Sequence, residues 1–160
     1  SRNTGFAVVR HDGVLLDRGV VSTPPAASVV ECGVAVSLQL SALSRAHSKV
    51  HSVYLEEFMK QFATGRFHTR GLFSLAQLNG ICEFEAARLF GVQPAVVMPN
   101  RVRSAFGVVS SGTDDVKSAV LDVVSNMYPE IVWETKRGAS NKSVRRTAYD
   151  QADAILVALF

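Results

Sequence analysis

The feature that most constrains this chain is a repeated change in hydrophobic period. Short, strand-length apolar runs alternate with helix-length amphipathic stretches. Residues 5–10, containing FAVVR, read as a strand, and Asp12-Gly13 marks a hairpin turn. GVLLDRGVVST then reads as the antiparallel partner, halted by Pro24-Pro25, because proline has no backbone donor for a central ladder. Residues 27–46 exceed the usual length of a strand and are predicted helical. SVYLE, residues 52–56, is a short β-prone run. Residues 72–90 carry Leu75, Leu78, Cys82 and Leu89 near one stripe and are predicted helical, with Gly91 placed as the C-terminal cap. PAVVMP (94–99) reads as a compact strand, 113–127 as a helix, 134–147 as a polar basic loop and 148–160 as a closing helix. Strands that alternate with helices after an initial hairpin predict an α/β domain with a mixed sheet, antiparallel at its start and parallel beyond it.

Composition narrows the class. With 160 residues, 48% of them hydrophobic, the chain is long and apolar enough to bury a core as one domain. The most apolar stretch, SVVECGVAVSLQLSAL, is interrupted by Glu31, Ser37 and Gln39, so no membrane span is expected. Two cysteines, Cys32 and Cys82, provide no disulfide framework and no CxxC pair, which fits a reducing, intracellular compartment. The net charge of +3 is small, but the bases are clustered. They fall in GRFHTRG (Arg66, Arg70), NRVR (Arg101, Arg103) and TKRGASNKSVRR (Lys136, Arg137, Lys142, Arg145, Arg146), a distribution suited to a polyanion.

The carboxylates point to chemistry. Glu56 ends the run Val53-Tyr54-Leu55, and the C-terminal edge of such a strand is where open α/β sheets place their sites. Asp150 and Asp153, spaced i, i+3, share a helix face. One aspartate there is explained by capping. A second, entering the apolar run 154–160, must be solvated, paired or metal-bound. Oxygen ligands of this kind suit Mg²⁺ or Mn²⁺. His11, His47, His51 and His68 have no zinc-site spacing, and there is no GxSxG elbow, Walker A loop or GxGxxG for a small-molecule enzyme.

These segments, in order, resemble the RuvC-type Holliday junction resolvases of the RNase H-like nuclease superfamily. SRNTGFAVVR with GVVST is similar to their first hairpin. VYLEEF resembles the strand carrying their second acidic residue. SLAQLNGICEFEAARLFG resembles their central helix, with its Gln-x-x-Gly at Gln77 and Gly80. PAVVMPNRVRSAFG resembles the strand and basic turn that follow, DDVKSAVLDVV the lysine-bearing helix, and DQADAILVAL the paired-aspartate helix.

The resemblance implies a single RNase H-like domain spanning 1–160, entered late in its first strand, with the family's first aspartate expected just upstream of Ser1. It implies an Mg²⁺-dependent endodeoxyribonuclease that resolves four-way DNA junctions by two-metal hydrolysis, with Glu56, Asp150 and Asp153 as catalytic metal ligands. Arg66, Arg70, Arg101, Arg103 and Lys117 would contact phosphates, and Phe67 would stack or wedge at the junction. It further implies a homodimer, with Phe73 and Phe84 of the central helix as candidate interface residues. The basic loop at 136–146 is longer than in bacterial members. A second reading is therefore a catalytically inactive RNase H-like domain that binds structured RNA or DNA, for example in an organellar ribonucleoprotein. A mitochondrial or other organellar location is the expected compartment.

Overall fold

Proline and glycine set where the elements stop. The chain is seen in a computed structural model that describes residues 3–57, 69–108, 113–134 and 146–160. Strands β1 (Asn3–Val9) and β2 (Leu15–Ser22) form the expected hairpin. Gly13 takes φ 85° at its turn, a conformation that costs glycine nothing. The turn is closed by hydrogen bonds from Arg10 N to Val14 O and from Gly13 N to Arg10 O, both 2.8 Å. β2 ends two residues before Pro24.

Helix α1 (Val29–Ala46) starts at a capping box: Ser28 Oγ accepts from Glu31 N, and a Glu31 carboxylate oxygen accepts from Ser28 N. Strands β3 (Tyr54–Glu56) and β4 (Ala95–Val97) pair in parallel, with Leu55 opposite Val96 and Glu56 opposite Val97. The connection between them contains α2 (Thr69–Phe90), so this is a β–helix–β crossover. Gly91, at φ 69°, caps α2 as predicted. The expected antiparallel hairpin and parallel pair are thus both present, hydrogen-bonded as two two-stranded sheets and accompanied by helices.

Three expectations are corrected. The strand predicted over 94–99 stops at Val97, and Pro99 opens a short helix α3 (Pro99–Ala105) in place of a turn. Proline cannot donate to a ladder, but its fixed φ suits a first helical position. The closing helix α5 spans Arg146–Leu159, so Arg146 belongs to a helix and not to the basic loop. And α1, with 18 residues and mean hydropathy 1.2, is by length and composition alone able to cross a membrane. Its interruptions are too few to rule that out on composition. Within the fold it carries the capping box and packs on α2.

The chain divides into two compact units. The first holds residues 21–97. There α1 and α2 lie side by side and run in the same direction, since Ser37 Oγ bonds Glu85 Oε2 (2.9 Å) and Ser44 Oγ bonds Leu89 O (3.4 Å). Val36, Leu43, Leu78 and Ala86 are buried within this unit.

The second unit holds residues 3–20 and 98–160. Here α5 packs on β1, on α3 and on α4 (Thr113–Met127). Its core is Val102, Val120, Leu121, Val124, Tyr128 and the α5 residues Ala148, Ala152, Ile155, Leu156 and Val157. Burying Ile155 and Leu156 contributes about 1.5–3 kcal/mol each.

Candidate active site

α5 places Asp150 and Asp153 one turn apart, as the i, i+3 spacing predicts. Ala152, Ile155 and Leu156 turn into the core and fix the helix roll. Gly5 on β1 fixes its height. A Cβ at Gly5 would lie 2.0 Å from the Asp150 carbonyl oxygen, so only glycine lets the helix backbone come this close.

Each carboxylate is held through one oxygen by a donor from another element. Asn3 Nδ2, on β1, donates to Asp150 Oδ2 at 3.2 Å. Arg103 Nη2, on α3, donates to Asp153 Oδ1 at 3.1 Å, with both side chains about a quarter exposed (24% and 22%). Among the described residues the pair is single-toothed: Nη2 alone bonds Asp153, and the buried Arg103 Nε has no hydrogen-bond partner. Burial pushes the Asp150 carboxyl above its ordinary value. The Asn3 hydrogen bond and the charges of Arg146 and Lys117 oppose this, and the neighbouring Asp153 reinforces it.

Glu56 is the last residue of β3 and belongs to the first unit. Its carbonyl accepts from Asn79 Nδ2 at 3.2 Å, tying the strand end to α2. Among the described residues, no group of three or more His, Cys, Asp and Glu side chains is close enough to hold a metal ion. What the second unit brings together is therefore a pair, Asp150 and Asp153. Their oxygens are the hard donors that Mg²⁺ or Mn²⁺ takes. Asp150 Oδ1 and Asp153 Oδ2 accept no hydrogen bond from the described residues. A divalent cation would also offset the burial that disfavours an ionised Asp150. The pair fits the group in donor type and in charge.

Of the bases expected on phosphates, Arg101 is exposed on α3 and Lys117 on α4. Arg103 has its guanidinium on Asp153. Arg66, Phe67 and the Arg70 side chain lie outside the described residues, as do Lys136, Arg137, Lys142 and Arg145. Phe73 and Phe84 are exposed on α2, at 67% and 65%. Sequence reasoning missed Asn3 and Gly5. The signal was available for Asn3: asparagine is disfavoured in strands, so one within β1 invites a polar role.

No protein-family model and no curated protein matches the chain. Solved structures do. Thermus thermophilus RuvC in complex with a Holliday junction substrate matches with a TM-score of 0.62 and 19% identity, over 98% of this chain and 83% of that one. A second Thermus thermophilus RuvC structure matches with the same score and identity, over 98% and 84%. At this identity the likeness establishes the fold: the chain folds as RuvC does.

Proposed function

We propose that this chain is one RNase H-like domain acting as a RuvC-type nuclease: a metal-dependent, structure-selective endonuclease on four-way DNA junctions. The observation that supports it most is Asp150 and Asp153 on one turn of α5, each with an oxygen that accepts no hydrogen bond among the described residues, in a chain with the RuvC fold.

In this reading Asp150 and Asp153 hold Mg²⁺ or Mn²⁺, and Glu56 is the further catalytic carboxylate that the resemblance assigns. When bound, the cations supply an activated water and stabilise the oxygen that leaves the phosphodiester. The chain's own residues do the rest. Asp150 coordinates the metal or orients the attacking water. Lys117 and Arg101, both exposed, hold the phosphate backbone, with Arg66 and Arg70 extending that track and Phe67 stacking on bases. Such contacts position a duplex without reading its sequence, and affinity should fall steeply with salt. The protein acts as a homodimer through α2, with Phe73 and Phe84 at the contact, so that paired cuts are placed about a two-fold axis.

The test is cleavage of a synthetic four-way junction by the protein extended upstream of Ser1, with Mg²⁺, with EDTA and as Asp153→Asn. Paired, symmetric nicks are expected with Mg²⁺ only, reduced by roughly 10³-fold or more in the variant, the scale of removing a group that stabilises transition-state charge. Salt-sensitive junction binding with no cleavage would replace this reading with that of a nucleic-acid-binding scaffold.

A further inference from the structure

Arg103 stands among the bases that would meet phosphate, yet the structure puts its guanidinium on a carboxylate. Asn3 does the same for the other carboxylate. The two donors come from different elements, β1 and α3, and each takes one oxygen and, among the described residues, leaves its neighbour unbonded. An aspartate carboxylate turns about two rotatable bonds and samples many orientations, and a hydrogen bond to one oxygen narrows them. Ligating carboxylates are generally oriented in this way by an outer shell of donors.

We propose that Asn3 and Arg103 are positioning residues: they fix the Asp150 and Asp153 carboxylates so that Oδ1 of the first and Oδ2 of the second are presented together to a divalent cation. The proposal rests on the metal-dependent reading above and adds who holds the ligands. Among the described residues Arg103 bonds by one nitrogen and its buried Nε finds no partner, where a carboxylate gripped for its own sake would draw a bidentate fork. The geometry sacrifices a donor and keeps one carboxylate oxygen open. Gly5 serves the same end by letting α5 settle close enough for Asn3 to reach Asp150.

A simple counter-ion makes the opposite prediction for Arg103. If the guanidinium merely competed with a cation for Asp153, its removal would delete a repelling charge and tighten metal binding. If it orients Asp153, removal weakens binding despite the lost repulsion. Asn3 is neutral, so its removal tests orientation without a charge effect.

The measurement is Mn²⁺ binding to the full chain, read from the loss of the free-ion electron paramagnetic resonance signal, with melting curves as a check of folding. Asn3→Leu and Arg103→Met are each expected to weaken Mn²⁺ binding by about tenfold or more. Arg103→Lys, which keeps a donor, is expected to recover most of the loss. Unchanged or tighter binding in both Asn3→Leu and Arg103→Met, beside a wild type that binds and an Asp153→Asn that does not, would overturn the positioning roles and leave the metal site standing. A wild type that takes up no Mn²⁺ at millimolar concentration would sink the metal-dependent reading and this inference with it. Should Arg103→Met fail to fold, Asn3→Leu and Arg103→Lys decide the matter, since they act on different carboxylates.

Discussion

The helices α1 and α5 both carry aliphatic residues and differ in how they use them. α5 buries Ala148, Ala152, Ile155, Leu156 and Val157, with Ile155 at 0% exposure. α1 buries Gly33, Val36 and Leu43 and leaves Val30, Val34 and Leu38, a stripe at i, i+4, i+8, at 70%, 54% and 66%. Among the described residues the apolar core is concentrated in the second unit, around the helix that carries Asp150 and Asp153. The same contrast holds for glycine contacts. A Cβ at Gly33 would stop 3.0 Å from the tip of the Ile81 side chain, which can move. A Cβ at Gly5 would meet the Asp150 carbonyl, which cannot. Backbone thus meets backbone where two carboxylates need fixed positions, whereas at Gly33 the approach of α1 to α2 is set by a side chain.

That contrast can be broken by experiment. Ile155→Ala is expected to cost about 4 kcal/mol, or roughly 10 °C in melting temperature, and Val36→Ala only about 2 kcal/mol. Equal losses by thermal denaturation would show that the two cores are equally tight. Next in size is the glycine pair. Gly5→Ala is expected to destabilise by about 3 kcal/mol, because a backbone shift must absorb the clash. Gly33→Ala should be close to neutral, since a gain in helix propensity of about 1 kcal/mol offsets the displacement of Ile81. A tolerated Gly5→Ala with full activity would remove the argument for a fixed helix height.

The smallest effect belongs to Asp150. Its folded-state carboxyl is held above the ordinary value, so ionisation works against folding. That cost is absent below the unfolded value of about 3.8 and fully present once pH exceeds the folded value. Asp150→Asn should therefore raise the melting temperature at pH 7 and leave it unchanged near pH 3. A destabilised variant at pH 7 would mean that the Asn3 bond and the nearby bases outweigh burial.

Much of this was legible in the sequence, and the reasons are specific. The hairpin, the crossover pair and the long helices follow from period and from proline and glycine placement, which are local. Asp150 and Asp153 could be paired because three residues on a helix is a fixed geometry. Asn3 with Asp150 could not, since 147 residues separate them and only the packing of α5 on β1 joins them. Arg103 was legible as a base but not as the partner of a carboxylate, because a positive charge in a turn motif suggests an external anion before an internal one. Helix α3 was missed because a proline after an apolar run reads equally as a strand end and as a helix start.

Gly5 has a consequence for anyone wishing to transplant this site. Its tolerance is narrower than one methyl group, so a donor scaffold that reproduced Asn3, Arg103, Asp150 and Asp153 but carried alanine beneath the helix would hold the right atoms at the wrong depth. The smallest residue in the neighbourhood, with no functional group of its own, is the part of the blueprint that cannot be rounded off.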